Sequence, residues 1–99
     1  MIIQQIKNGN ALTIALEGRL DTMTAPELEA VLKDALTGVE ELTFDFEKLD
    51  YISSAGLRVL LAAQKTMNNQ GSMKVKNANE IILEIFEVTG FSDILTIES

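Results

Sequence analysis

The chain has 99 residues, of which 46% are hydrophobic and 23% are charged, a balance typical of a folded domain and not of a disordered segment. Its net charge of −7 disfavours direct binding to nucleic acid or to an anionic membrane, because phosphate groups repel an acidic surface. No apolar run approaches the roughly 18 residues of a membrane span, and the N-terminus lacks the layout of a signal peptide. We therefore expect a single cytoplasmic domain over residues 1–99.

Histidine and cysteine are both absent from the sequence. Their absence excludes a Ser-His-acid triad, a disulfide framework and a thiolate metal site. Carboxylates are frequent, but sequence neighbours such as Glu40 and Glu41 are more simply a solvated, charged face than an acid–base pair. No Gly-rich loop of the P-loop or dinucleotide type occurs. The sequence therefore predicts a protein that is not an enzyme, with no catalytic residue, metal site or cofactor.

The first third of the chain predicts a hairpin followed by a helix. Residues 2–6 and 11–16 have strand character, and the Asn8-Gly9 pair between them supplies the positive φ angles of a tight turn. Thr24 and Glu27 form a capping-box pattern, and the apolar positions that follow recur at helical spacing. Gly38 is expected to end this helix.

The middle of the chain predicts a strand, a turn and a buried helix. Residues 41–46 alternate between apolar and polar side chains, and residues 47–50 are interpreted as a turn. A helix is expected from Ser53 or Ser54 to about residue 67, apolar over most of its circumference.

The last third predicts a strand, a helix and an edge strand. Residues 72–76 are the strand, Asn77 with Glu80 resembles a second capping box, and Thr89-Gly90 ends the helix. Its inward face is expected to consist of Ile81, Ile82, Ile85 and Phe86. Residues 94–97 form the final strand. The order β-β-α-β-α-β-α-β predicts an α/β domain with a mixed sheet, an N-terminal antiparallel hairpin and parallel strands joined by right-handed crossovers.

The segment "DYISSAGL", residues 50–57, allows two interpretations. One serine is well placed to cap the following helix, but a cap needs only one hydroxyl. Gly56 costs about 1 kcal/mol relative to alanine inside a helix, which favours a role in close approach of a partner. A helix N-terminus also favours negative charge, so a phosphate on Ser54 would not unfold the helix. Capping and phosphorylation are therefore compatible.

The segment "FDFEKLDYISSAGLRVLLAAQK" resembles the signature of the STAS domain, specifically that of bacterial anti-sigma factor antagonists. The upstream "LEGRLDTMTAPEL" is similar to a second recurring element of that family, and "VTGFSDILTI" is similar to its usual ending. The resemblance covers nearly the whole chain. It implies a STAS fold and a regulatory binding role.

The resemblance assigns roles to individual residues. Ser54 aligns with the phosphoacceptor serine, Ser53 falls where aspartate is common and is a second candidate acceptor, and Ala55 falls where serine or threonine is common. Asp21 matches a loop aspartate on the partner-facing surface, although a simple turn role is equally open. Arg58 is either part of that surface or solvated. The predicted partner-binding residues are Asp21, Thr22, Ser53, Ser54, Gly56 and Arg58.

The resemblance implies a partner-switching regulator. Unphosphorylated, it would bind an anti-sigma factor that is also a serine kinase; phosphorylation at Ser54 would end binding, and a PP2C-type phosphatase would reset it. One alternative is a STAS subunit docked constitutively on a transporter ATPase or a signalling assembly. A small nucleotide-binding protein or hydrolase is a second alternative, disfavoured by the missing histidine, cysteine and phosphate-binding loop.

Overall fold

A computed structural model describes residues 1–98, in which strands and helices follow one another in the predicted order. The elements are β1 (Ile2–Asn8), β2 (Ala11–Leu20), α1 (Ala25–Ala35), β3 (Glu41–Ile52), α2 (Ser54–Asn68), β4 (Ser72–Lys76), α3 (Glu80–Thr89) and β5 (Ile97–Glu98). A short 3₁₀ helix, Phe91–Asp93, precedes β5. The predicted α/β class is confirmed, and the last residue of the predicted domain, Ser99, lies outside the described residues.

The strands form one mixed sheet in the spatial order β1-β2-β3-β4-β5. β1 is antiparallel to β2, and all later neighbours are parallel, as predicted. Ile14 lies opposite Phe44, which lies opposite Val75, so one face of the three central strands is continuously apolar. The buried residues of all three helices belong to the same hydrophobic cluster as this face.

The opening hairpin is confirmed and is longer than expected. Gly9 adopts a φ of +64°, the left-handed conformation that the tight turn requires. β2 continues four residues beyond its predicted end, to Leu20. Its side chains alternate between buried and partly exposed positions, so only one face of the sheet is covered by helices.

The predicted turn at residues 47–50 is wrong, because β3 runs through it to Ile52. The pairing of β2 with β3 shifts between Ala15 and Glu17 and again between Gly18 and Arg19, and at each shift β3 holds one extra residue. At these two bulges the buried side chains of β3 are three residues apart and not two. The sequence there therefore lacks the apolar–polar alternation from which a strand is predicted.

The expected Thr24 capping box is also wrong. Thr24 stands at the N-cap position of α1 without a side-chain capping bond. Its hydroxyl is instead committed to the preceding loop, where it accepts from the Asp21 N–H (2.9 Å) and donates to the Arg19 carbonyl oxygen (2.8 Å). The helix ends at Ala35, and Gly38 occupies the turn beyond it with a φ of +77°.

The start of α3 and the last strand differ from expectation. Asn79, not Asn77, caps α3 by accepting a bond from the Ile82 N–H at 2.9 Å. Ile82 and Phe86 face the core as predicted, whereas Ile81 is 57% exposed, because consecutive helical residues point about 100° apart. The final strand comprises only Ile97–Glu98, since the preceding residues close the 3₁₀ turn.

Gly56 determines how α2 sits on the sheet. It is buried in the first turn of the helix, and a Cβ atom there would lie 2.7 Å from Leu20 Cγ and 2.8 Å from Ile52 Cγ1. Both distances are well below ordinary van der Waals contact. The missing side chain therefore lets the helix pack directly on the ends of β2 and β3.

We expect Gly56→Ala to lower the free energy of unfolding by about 1–2 kcal/mol. Overpacking costs about 1–3 kcal/mol, and this outweighs the gain of up to about 1 kcal/mol in helix propensity. Urea denaturation of both proteins measures the difference. Thr66→Ala, at an exposed position of the same helix, is the control and should stay within about 0.5 kcal/mol of wild type. A Gly56→Ala protein as stable as wild type would contradict this account of the packing.

Candidate functional site

The predicted site residues meet at the carboxyl ends of β2 and β3. Leu20 and Ile52 are opposite each other at the last pairing of these parallel strands. The ladder continues one step further, because the Ser53 N–H donates to the Leu20 carbonyl oxygen at 2.9 Å. The loop that begins with Asp21 and the double serine that begins with Ser53 therefore leave the sheet side by side.

The two serines occupy different positions at the start of α2. Ser53 is the N-cap residue: it has extended backbone angles, is half-buried, and accepts a long hydrogen bond (3.5 Å) on Oγ from the Gly56 N–H. Its carbonyl oxygen accepts the first helical bond, from the Leu57 N–H at 2.9 Å. Ser54 is the first residue of the helix and is exposed. The cap uses one hydroxyl and leaves the other facing solvent.

Arg58 lies one helical turn beyond Ser54 on the exposed side of α2. The spacing of four residues places it on the same face, about 6 Å further along the axis. Leu57 between them is 5% exposed and belongs to the core. The first turn of α2 contains no acidic residue, so its positive dipole end lacks a compensating carboxylate of its own.

Asp21 organises the loop between β2 and α1. Its Oδ1 accepts hydrogen bonds from the N–H groups of Met23 (3.0 Å) and Thr24 (3.2 Å). Its Oδ2 lies 3.8 Å from Nε of Arg19, and the side chain remains 30% exposed. The turn role that the sequence left open is thus present, and one edge of the carboxylate remains accessible.

The same contacts shift the pKa of Asp21. Partial desolvation raises this pKa, but the bonds donated by the Thr24 and Met23 N–H groups and by the Thr24 hydroxyl, together with the positive charge of Arg19, lower it more. The net effect holds the pKa of Asp21 below its ordinary value. The carboxylate is therefore charged at neutral pH.

Three side chains beside the predicted residues were not anticipated from the sequence. The guanidinium of Arg19 lies over the ring of Tyr51, 4.7 Å from its centroid, so the two side chains form a cation–π pair across β2 and β3. Met23 is 86% exposed and follows Thr22, which is also exposed. A methionine inside a polar loop was the available signal, because a large apolar side chain in such a loop is often a contact residue.

Gly56 has a packing role inside the fold, and its predicted role as a partner contact stays a prediction. The residue is buried beneath its own helix turn, where a Cβ atom would meet Leu20 and Ile52. The unfavourable helix propensity of Gly56 is offset by the close packing of α2 on the sheet. The exposed members of the predicted set are Thr22, Ser54 and Arg58, with Asp21 and Ser53 half-buried beside them.

Two chemical features are missing from the described part of the chain. Within residues 1–98, no group of three or more acidic, histidine or cysteine side chains is arranged to hold a metal ion. Across the same residues, every helix is too short or too polar to cross a bilayer.

Comparison with protein families identifies the family of this chain. The model of a family described as "Mlab, STAS domain" matches residues 3–96. The chain therefore belongs to the STAS domain family, and its curated relatives include proteins named anti-sigma factor antagonists.

Two such relatives are similar over most of their length. The putative anti-sigma factor antagonist BtrV of Bordetella bronchiseptica is 35% identical over 88 residues, which cover 87% of this chain and 76% of that protein. The anti-sigma-B factor antagonist of Bacillus subtilis is 29% identical over 94 residues, which cover 94% of this chain and 86% of that protein.

Solved structures share the fold. A putative anti-sigma factor antagonist from Thermotoga maritima superposes with a TM-score of 0.91 at 15% identity, over 98% of this chain and 86% of that one. The Bacillus cell fate determinant SpoIIAA, solved in its phosphorylated form, superposes with a TM-score of 0.77 at 19% identity, over 99% of this chain and 92% of that one.

We expect Ser53→Ala to lower the free energy of unfolding by about 0.5–1 kcal/mol, because α2 loses its N-cap acceptor and the bond is long. Ser53→Asp should restore wild-type stability, since aspartate caps as well as serine does. Urea denaturation of the three proteins tests this. Equal stability of the alanine and aspartate variants would show that the cap contributes nothing.

We expect Asp21 to make stability depend on acid pH. A carboxyl whose pKa is lower in the folded protein stabilises it above about pH 4 and loses that contribution as the pH falls through the folded pKa. Asp21→Asn keeps an acceptor oxygen but cannot titrate, so its stability should fall less steeply below about pH 4 than that of wild type. Denaturation midpoints measured across this range, with Asp34→Asn on α1 as the charge control, test the expectation. A slope unchanged by Asp21→Asn would contradict it.

Proposed function

We propose that this protein is a partner-switching anti-sigma factor antagonist. In its unphosphorylated form it binds an anti-sigma factor with serine-kinase activity and so frees a sigma factor. The kinase transfers the γ-phosphoryl group of ATP to the Ser54 hydroxyl, ADP leaves, and the complex separates; a PP2C-type phosphatase then hydrolyses the phosphoserine. The protein is substrate and binding module in the bacterial cytoplasm, without catalytic activity of its own.

The exposed hydroxyl of Ser54 is the observation that carries this proposal. It lies on the first residue of α2, while the capping function is already met by Ser53. Phosphorylating Ser54 therefore breaks no capping bond of the helix. The names of the curated relatives, and the solved phosphorylated form of SpoIIAA with the same fold, support the same assignment.

Phosphorylation would change surface charge on an unchanged frame. The phosphate adds about −1.5 to −2 charge at a helix N-terminus, where backbone N–H groups and the dipole stabilise it. Arg58, one turn away on the same face, is within the reach that i, i+4 pairs require. The surface around Ser54 is neutral at the hydroxyl before phosphorylation and becomes anionic after it. Negative charges on the partner would then oppose docking.

The surrounding residues suit a protein interface. Met23 offers exposed apolar surface, Arg58 offers a positive charge, and Asp21 offers a carboxylate held in place by its loop. An apolar contact with a polar rim is the usual arrangement of such surfaces. We infer that Met23 joins the predicted residues as a contact.

The decisive experiment maps phosphate and binding together. The protein is purified, incubated with its cognate kinase and ATP, and analysed by mass spectrometry; we expect label on Ser54. Ser54→Asp and Ser54→Ala are then compared with wild type for kinase binding by calorimetry. We expect the aspartate variant to bind at least tenfold more weakly and the alanine variant to bind near wild-type affinity.

Ser72→Asp is the matched control, because Ser72 is an exposed serine at the opposite end of the sheet, where β4 begins. It adds the same charge and should leave binding unchanged. Label absent from both Ser53 and Ser54 would overturn the switch. Undiminished binding by Ser54→Asp would point instead to the alternative, constitutive docking on a larger assembly.

A further inference from the structure

β1 forms an open edge of the sheet. Its seven residues pair with β2 on one side, and no strand among residues 1–98 pairs with the other side. An edge strand offers a row of unpaired backbone N–H and C=O groups. Proteins usually protect such edges with proline, bulges or several charges, but β1 reads "IIQQIKN" and contains one charged side chain, Lys7.

The side chains of β1 also carry exposed apolar surface. Ile2 and Ile6 are 55% and 59% exposed. The register with β2 pairs Ile2 with Glu17, Gln4 with Ala15 and Ile6 with Thr13, which places these three β1 residues on the face of the sheet that the helices leave uncovered. Along this face β1 reads Ile-Gln-Ile, which is symmetric about Gln4.

We propose that β1 pairs with β1 of a second copy in antiparallel orientation, with the two-fold axis at Gln4. Ile2 then lies opposite the partner's Ile6, and Gln4 lies opposite the partner's Gln4. The two sheets join into one sheet of ten strands with their uncovered faces continuous.

The pattern selects this register among the alternatives. A shift by one residue would bring the uncovered face of one copy against the helix-covered face of the other, since side chains alternate with a period of two. A shift by two residues would place Gln4 opposite an isoleucine. Only the register centred on Gln4 pairs isoleucine with isoleucine at both ends, Ile2 with Ile6 and Ile6 with Ile2. For this reason we propose a second copy of the chain as the partner of this edge.

The net charge opposes the dimer and makes it depend on salt. Each copy carries a net charge of −7, so association brings two anionic proteins together. The contacting strand itself carries no acidic residue, and Lys7 falls near the end of the paired segment. Added salt screens the net repulsion and should strengthen the dimer.

The dimer is independent of the proposed switch. The outer edge of β1 is separated from β3 by β2, and Ser54 follows the carboxyl end of β3. Both Ser54 sites of a dimer would remain open. The proposal therefore stands or falls without reference to phosphorylation.

Cysteine cross-linking tests the register, because the natural sequence contains no cysteine. Directly opposite residues of an antiparallel pair have Cα atoms about 4.5–5.5 Å apart, within the range of a disulfide. Gln4→Cys should therefore form a disulfide dimer on mild oxidation. Ile2→Cys alone should not, since its two copies lie about 14 Å apart, whereas mixing Ile2→Cys with Ile6→Cys should restore cross-linking.

Val88→Cys is the control for random collisions, because Val88 on α3 is 79% exposed and lies outside β1. Sedimentation of the wild-type protein over a concentration series should show a dimer that salt strengthens and Ile6→Lys abolishes, with Val88→Lys unchanged. Circular dichroism verifies that each variant is folded. The proposal would be overturned if the protein were monomeric at every concentration, or if Gln4→Cys cross-linked no faster than Val88→Cys. The β1 edge would then be available to pair with a strand of another protein.

Discussion

The packing of the first turn of α2 onto the ends of β2 and β3 is the constraint on which the site depends. Gly56 permits it, because any side chain there would collide with Leu20 and Ile52. The close approach fixes the height and direction of the helix over the sheet. Since interiors pack densely, this contact leaves little freedom for the residues that precede it.

From this contact the roles of the two serines follow. The Ser53 N–H donates to the Leu20 carbonyl oxygen, which is the last bond of the β2–β3 ladder. Ser53 is also the N-cap residue of α2, so the chain passes from strand to helix at this residue. Ser54 is then directed to solvent at the positive end of the helix dipole. The Asp21 loop leaves the neighbouring strand at the same edge, so elements distant in sequence form one surface.

Much of the fold was predictable because its signals are local. The hairpin turn at Gly9, the helical spacing of α2 and the glycine after α3 each depend on a few neighbouring residues. The bulges of β3 were not predictable in this way, because they exist only relative to the pairing with β2. The cap of α3 was not predictable for a similar reason: Asn77 and Asn79 are both good candidates, and Asn79 is the one that also donates to the Leu49 carbonyl oxygen of β3, at 3.2 Å.

The sequence by itself determined the order of the elements, the absence of histidine and cysteine chemistry, and the double serine at a helix start. It also carried the motifs that resemble the STAS family. Tertiary structure alone decided which serine is exposed, that Gly56 serves internal packing, and that Met23 stands beside the site. The physical reason is that exposure and close contact are properties of neighbours brought together across strands, and no local pattern along the chain records them.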